Sequence, residues 1–189
     1  KPIILSTGGG TIEDIDRAVN AVLKHNKNLA LLQCTAGYPP EYPELNLRVI
    51  ETFRSRYPEV TIGYSGHDSG IAMGLVAYIL GARVIEKHFT LNRAMKGTDH
   101  AFSLEPQGMQ KLVRDVERAQ QALGDGNKGT YPSEVAPLKK MGKSIFFTRS
   151  LPKGSILGPE DIDFRSPGDG VPPYEAVKFL GNPIKRDVK

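Results

Sequence analysis

The chain has 189 residues, with 25 Lys and Arg against 21 Asp and Glu, one Cys and no Trp, and 39% of its residues are hydrophobic. This length can bury one or two domain cores, and the mixture of apolar and charged residues excludes a disordered or collagen-like chain. The dispersed net charge of +4 and the lack of a long apolar run argue against nucleic-acid and membrane partners, and the single cysteine indicates a reducing, cytoplasmic location.

Short apolar runs alternate with helical patterns along the first two thirds of the chain. The runs predict buried strands at residues 3–6, 29–33, 60–64 and 84–89. A helical pattern follows each run; the first begins after a cap at Thr11 and the last ends at Gly124. Because the strand starts recur near the ~30 residues of a βαβ unit, we expect a parallel sheet covered by helices.

The pattern changes after Gly124. Residues 125–141 predict a polar connector without helical periodicity. Residues 142–189 contain short runs broken by Pro and Gly, at 144–148, 162–165 and 184–188, which is typical of a small β-rich module. A module of roughly 50 residues is near the lower limit for an independent core, so we expect it to continue beyond the chain or to lean on a partner.

Two architectures fit the first part, an open doubly wound sheet and part of a (β/α)8 barrel. Four units cannot close an eight-stranded barrel, and periodicity does not choose between the two. In both architectures the chemistry lies at the carboxyl ends of the strands. The residues at those ends therefore carry the functional prediction.

Two histidines give the strongest signal at the strand ends. His67 and His88 each lie at or just beyond the end of neighbouring predicted strands, where their side chains would project towards one mouth. Two imidazoles completed by water favour a divalent first-row metal. Glu86 precedes His88 by two residues and should share its side of the strand, whereas Lys87 should face the opposite side. The Glu86 carboxylate could orient an imidazole, bind a sugar hydroxyl or act as a base.

The glycine triplet Gly8–Gly10 and Cys34 give weaker signals. The third glycine of a dinucleotide fingerprint would fall on Glu13, so a tight turn before a capped helix is the better interpretation of the triplet. Cys34 has no second cysteine nearby and is interpreted as a small packing residue.

Several strand-end segments together resemble the sialic acid synthase (N-acetylneuraminate synthase) family. They are Gln33–Pro39 (QCTAGYP), Gly63–His67 (GYSGH), Ile85–Thr90 (IEKHFT), Gly97–His100 (GTDH) and Ser103–Pro106 (SLEP). The chain from about Gly142 is similar to the antifreeze-like (SAF) domain that ends proteins of this family. The resemblance covers essentially the whole chain.

The resemblance implies an α/β fold made of the C-terminal half of a (β/α)8 TIM barrel followed by a small SAF domain. Residues 1–124 would then be strands five to eight of the barrel, 125–141 a linker and 142–189 a truncated SAF domain. The absence of an initiator Met before Lys1 agrees with a longer polypeptide. Because half a barrel leaves strand edges and apolar surface uncovered, we expect the chain alone to aggregate or self-associate and to be inactive.

The resemblance also implies an enzyme, a metal-dependent transferase that forms a C–C bond. It would condense phosphoenolpyruvate with an N-acetyl amino sugar, typically N-acetylmannosamine, to give a nine-carbon 2-keto sugar acid and phosphate. His67 and His88 match the residues that bind the metal, usually Mn2+ with Mg2+ as the alternative. Legionaminic or pseudaminic acid synthesis is the alternative within the family, and a non-catalytic carbohydrate-binding module is the alternative of another class.

Other matched residues imply substrate contacts. Ser65 matches a serine of the phosphoenolpyruvate site, and Tyr38, Glu86 and Asp99 match residues at the sugar end of the cavity. Arg165 matches the SAF arginine that enters the active site of the other subunit in a domain-swapped homodimer. Ala36 departs from the pattern, since many bacterial members have an asparagine there, and the residues of strands one to four have no counterpart in this chain.

Overall fold

The structure is a computed structural model that describes residues 1–188. Lys189, the last residue of the predicted SAF domain, lies outside the described residues. The chain divides into two compact units, one from Lys1 to Gly126 and one that begins at Asn127. Over residues 1–188, no helix is both long enough and apolar enough to cross a bilayer.

Four parallel strands form the sheet of the first unit. They are β1 (Ile3–Ser6), β2 (Leu29–Cys34), β3 (Thr61–Gly66) and β4 (Val84–Lys87). They lie side by side in chain order, and each pairs in parallel with the next. The predicted parallel α/β sheet is confirmed, and its strand order is that of neighbouring strands in a barrel wall.

Helices follow the strands at the places that the sequence indicates. They are α1 (Ile12–Leu23), α2 (Val49–Arg56), α3 (Ala72–Ile79) and α4 (Pro106–Ala122). At the start of α1, the Asp14 amide donates to Thr11 Oγ1 at 3.3 Å and the Thr11 amide donates to Asp14 Oδ2 at 2.9 Å, forming a capping box. The glycines before it form a tight turn, in which the Gly10 amide donates to the Thr7 carbonyl at 3.1 Å.

The alternation of side chains gives the sheet two faces. The outer face packs against the helices, and its buried core combines strand and helix residues, among them Leu29, Leu31, Ile62 and Tyr64 with Ile15, Val19, Ile50 and Phe53. The inner face carries the alternate positions of the same strands. It is covered unevenly, since Leu32 in β2 is fully buried while Ile4 in β1 is 57% exposed.

The predicted connector contains a helix that the sequence pattern misses. Helix α5 spans Pro132–Met141, and the Tyr131 amide donates to Glu134 Oε2 at 2.8 Å in its first turn. No residue of α5 is buried, and Pro137 lies inside it. A helix without a buried apolar stripe leaves no periodic signal, which explains the miss.

The second unit contains the small β-rich module. Strands β5 (Ser144–Phe147) and β6 (Ile162–Arg165) lie at two of the predicted runs and form an antiparallel pair. The predicted run at 184–188 forms no named strand in the described part of the unit. Its backbone is tied instead by an isolated bridge between Leu151 and Val188.

Candidate functional site

The carboxyl ends of β3 and β4 place a serine beside a carboxylate. Ser65 lies opposite Glu86 in the strand register, and Ser65 Oγ donates a hydrogen bond to Glu86 Oε1 at 2.7 Å. Ser65 is 3% exposed, whereas Glu86 is exposed on the inner face. Glu86 is therefore oriented by a buried donor while its carboxylate stays accessible to a ligand.

The lysine next to Glu86 does not pair with it. The Lys87 side chain lies on the outer face, where its Nζ is 2.9 Å from Asp68 Oδ1. Burial lowers the pKa of Lys87, and the hydrogen bond to Asp68 opposes that shift. The predicted separation of Lys87 from Glu86 is therefore observed, and the Glu86 charge is directed towards the inner face.

His67 follows β3 directly and is 7% exposed. Its Nδ1 lies 3.0 Å from the carbonyl oxygen of Thr35. A carbonyl can only accept, so a neutral His67 carries its proton on Nδ1 in this hydrogen bond. The lone pair then resides on Nε2, which is the state in which an imidazole binds a metal ion.

His88 follows β4 directly, and the structure brings it to His67. The two ring centroids lie 5.0 Å apart, with an angle of 75° between the rings. His88 Nδ1 lies 3.6 Å from Asp99 Oδ2, which is beyond hydrogen-bond distance. The Asp99 carboxylate thus borders the histidine pair from the loop after β4.

Aromatic rings border the histidine pair. The Tyr38 ring centroid lies 4.4 Å from that of His67 and 6.1 Å from that of His88, and Tyr38 is 56% exposed. The buried Phe102 lies 5.1 Å from His88 on the same centroid measure. Phe102 ends a short 3-10 helix, His100–Phe102, and is absent from the predicted site because an apolar side chain carries no chemical signal in the sequence.

The residues that are present fit a divalent metal ion. Across residues 1–188, no group of three or more His, Cys, Asp or Glu side chains is arranged to hold a metal. The two imidazoles of His67 and His88 nevertheless form a nitrogen donor pair, and the Thr35 carbonyl fixes the tautomer of one of them. Such a pair suits a first-row metal whose other ligands are water and substrate oxygens.

Cys34 also lies near His67, although the sequence indicates only a small packing residue at this position. Its Sγ lies 3.9 Å from His67 Nδ1. Burial raises the pKa of the Cys34 thiol, and a hydrogen bond with Ser65 opposes that shift. The register that pairs Cys34 with Ser65 is the signal that could have placed it here, but register is not readable from one strand.

Arg165 and Ala36, which the sequence singles out, have neighbours other than the two histidines. Arg165 lies in β6 of the second unit, where its Nε is 2.8 Å from Asp163 Oδ2, and its role at an active site stays a prediction. Ala36 lies next to Gly8 at the ends of β1 and β2, since a Cβ built on Gly8 would be 3.0 Å from the Ala36 Cβ. The small side chain leaves no hydrogen-bonding group at that position.

Comparisons with known proteins give a consistent result. The NeuB family model matches residues 1–128 and the SAF domain model matches residues 142–189. The chain is 36% identical over 185 residues to N-acetylneuraminate-9-phosphate synthase of Homo sapiens, covering 97% of this chain and 52% of that protein. It is 36% identical over 192 residues to N,N'-diacetyllegionaminic acid synthase of Campylobacter jejuni, covering 100% of this chain and 57% of that protein.

A solved structure supports the same assignment. The crystal structure of N-acetylneuraminic acid (sialic acid) synthetase from Leptospira borgpetersenii superposes with a TM-score of 0.64 at 38% identity, over 72% of this chain and 48% of that chain. The predicted fold, a parallel half-barrel sheet followed by a small SAF module, is confirmed. The chain spans about half the length of the curated relatives it matches. The exact boundaries predicted for the domains stay a prediction.

Proposed function

Because the chain belongs to the NeuB family, we propose that it forms half of the active site of a sugar acid synthase. The reaction condenses phosphoenolpyruvate with an N-acetyl amino sugar, N-acetylmannosamine in the first instance, to give a nine-carbon 2-keto sugar acid and phosphate. The observation that carries the proposal is the convergence of His67, His88 and Tyr38 beside the hydrogen-bonded pair Ser65 and Glu86.

His67 and His88 are the residues that would hold a divalent metal, Mn2+ or alternatively Mg2+, through ring nitrogens on the inner face. When bound, such an ion supplies Lewis-acid polarisation of the sugar carbonyl. Tyr38 and Asp99 border the histidines from two loops, so they are positioned to contact the polar groups of the sugar.

The side chains of Ser65 and Glu86 serve the carbon chemistry. The methylene carbon of phosphoenolpyruvate forms the new bond to the sugar aldehyde carbon as its C=C double bond breaks, and the aldehyde oxygen takes up a proton. Water then adds to the neighbouring cationic carbon and loses a proton, and the tetrahedral product loses phosphate. Glu86, held by Ser65 at 2.7 Å, is placed to orient the sugar or to move a proton. Ser65 thereby connects the phosphoenolpyruvate end of the site to the sugar end.

In this proposal, the active site is completed by the other strands of the barrel and by Arg165 of the SAF module. The other strands of a closed barrel must supply further charged groups for phosphoenolpyruvate, and Arg165 would reach the sugar in a domain-swapped homodimer. Arg165 is 60% exposed in its side chain and is paired with Asp163. A surface ion pair of this kind exchanges partners at little cost.

The test uses a complete barrel that contains this chain and measures Mn2+ binding and phosphate release. Replacing His67 with Ala removes one nitrogen donor, so we expect Mn2+ affinity and phosphate release to fall together. His25→Ala is the matched control, because His25 is exposed after α1. A His67→Ala protein with normal metal affinity and turnover would contradict the metal assignment.

The identity of the sugar is a separate question. The chain is equally similar, at 36% identity, to synthases named for N-acetylneuraminate 9-phosphate and for diacetyllegionaminic acid. Legionaminic or pseudaminic acid synthesis is therefore the second candidate. Phosphate release measured against a series of acetamido sugars decides between them, and sugar binding without metal or phosphoenolpyruvate would favour a non-catalytic module instead.

A further inference from the structure

Three polar side chains form a buried cluster on the outer face, directly behind the two histidines. Lys87 Nζ lies 2.9 Å from Asp68 Oδ1 and 2.5 Å from the Asp68 backbone oxygen, and Tyr64 Oη donates to Asp68 Oδ1 at 2.7 Å. The side chains of Lys87 and Asp68 are 2% and 1% exposed, and Tyr64 is 1% exposed. We call Tyr64, Asp68 and Lys87 the outer-face triad.

The triad is tied to the histidines through the chain itself. Asp68 follows His67, and Lys87 precedes His88. The last ladder pair of the two strands is Gly66 with Lys87, so both histidines stand beyond the ladder. Beyond this last pair, no ladder hydrogen bond joins β3 to β4 among residues 1–188. The ion pair between Asp68 and Lys87 connects the two strand ends at that point.

Gly66 shows how tightly the triad is packed against β3. A Cβ at Gly66 would lie 2.5 Å from Tyr64 Cε1 and 2.8 Å from Asp68 Oδ1. These distances are shorter than any normal contact, so the ring and the carboxylate occupy the space of the missing side chain. Since Gly66 immediately precedes His67, the triad packs directly against the backbone that carries the histidine.

The triad is a poor device for stability alone. Asp68 Oδ2 is buried and has no hydrogen-bond partner within the described part of the chain, and such a group carries an uncompensated desolvation cost. Buried ion pairs can often be replaced by apolar residues without loss of stability. Holding a specific geometry is the role in which an ion pair differs from an apolar contact.

From this placement we infer that the outer-face triad positions His67 and His88 for metal binding. Its ion pair holds the ends of β3 and β4 together behind the site, which keeps the two ring centroids at the observed 5.0 Å. Tyr64, Asp68 and Lys87 are thus positioning residues that act through the histidines. The inference rests on the proposed function, because it requires those histidines to bind a metal ion.

The test replaces the triad with apolar side chains in a complete barrel that contains this chain. The variant Tyr64→Phe/Asp68→Leu/Lys87→Met removes both charges together, so no unpaired charge stays buried. We expect it to fold and to bind Mn2+ roughly 10-fold to 100-fold more weakly, the effect typical of lost support around metal ligands. Titration calorimetry with Mn2+ alone gives the affinity, and thermal unfolding gives the stability. A folded triple variant with unchanged affinity overturns the inference.

The contact between α1 and α2 offers a control of similar chemistry, a tyrosine and a basic residue on one aspartate, with Arg56 and Asp16 46% and 29% exposed in their side chains. Tyr57 Oη donates to Asp16 Oδ1 at 2.7 Å, and Arg56 Nε donates to the same oxygen at 2.7 Å. We expect Tyr57→Phe/Asp16→Leu/Arg56→Met to leave the Mn2+ affinity unchanged whatever it does to the melting temperature. An equal loss of affinity in this control would mean that general destabilisation is the cause, which also overturns the inference.

Three further measurements keep the outcome decisive. Tyr64→Phe alone keeps the ion pair, so the protein should fold, but it removes the hydroxyl that holds Asp68 Oδ1. With that restraint on the carboxylate lost, Mn2+ should bind several-fold more weakly; if the triple variant does not fold, unchanged affinity in Tyr64→Phe overturns the inference. In the metal-free protein, NMR of the His67 ring should show an altered Nδ1–H signal in the triple variant. The variant His67→Ala distinguishes failure of the metal site from failure of the positioning role. Normal Mn2+ affinity in His67→Ala contradicts the proposed metal site. If His67→Ala loses Mn2+ affinity while the triple variant keeps it, only the positioning role is contradicted.

Discussion

The two faces of the four-stranded sheet use the same strands for different purposes. On the outer face, Leu31 and Ile62 are at most 3% exposed and pack against the helices. On the inner face, the buried Ser65 holds Glu86, whose carboxylate is exposed to a ligand. Residues adjacent in the chain thus differ in role because alternate side chains point to opposite faces.

The polar clusters on the two faces show the same division. On the inner face, Glu86 is exposed beside the buried Ser65 and His67, whereas the side chains of Asp68 and Lys87 on the outer face are both closed to solvent. A buried charge that no ligand can reach can act only on its surroundings. We therefore expect a titratable side chain at a strand end to serve chemistry or geometry according to the face on which it lies.

On the inner face, we expect Glu86→Gln to reduce turnover far more than it reduces stability. The amide still accepts a hydrogen bond from Ser65 but cannot take a proton, so turnover should fall roughly 10²-fold to 10⁴-fold. The melting temperature should hardly change, because the side chain is exposed. Phosphate release by a complete barrel containing the chain measures the effect, with Glu117→Gln in the exposed face of α4 as the control. Normal turnover in Glu86→Gln would remove Glu86 from the site.

The outer face is tested by Ile50→Ala in α2. Ile50 is fully buried in the outer core, and truncating such a side chain should lower the free energy of unfolding by about 2–5 kcal/mol. Ile79→Ala in α3 is the matched control, since Ile79 is 56% exposed. Denaturant unfolding compares the two variants, and equal losses would show that the outer core is not the main source of stability.

A smaller effect is expected from Asp16, which links α1 to α2. Hydrogen bonds from Arg56 and Tyr57 lower the pKa of Asp16 from 3.8 to about 2. The carboxylate therefore contributes stability that is fully present above about pH 4 and is lost as the pH falls towards about 2. Asp16→Asn should lose less stability than the wild type over that pH range. If the free energy of unfolding falls equally with pH in the two proteins, Asp16 makes no such contribution.

The sequence predicts the first unit well because its signals are local. The Thr11 cap and the apolar stripe of α1 depend on neighbours within a few residues, and the structure has them where the pattern indicates. The prediction fails at α5, which buries none of its residues. It also fails at 184–188, where the chain is tied by an isolated bridge at Val188 rather than by a strand. Both failures occur where apolar periodicity does not report the local structure.

The residue types and their order by themselves determined the parallel α/β sheet, the two histidines at the strand ends and the resemblance to a synthase family. The sequence also placed Glu86 and Lys87 on opposite sides of one strand, because alternation is a property of the strand itself. The groups that meet are visible only in the folded chain: Ser65 with Glu86, His67 with the Thr35 carbonyl, and Lys87 with Asp68. Those contacts depend on the register between strands and on the packing of loops, which no single segment of sequence contains.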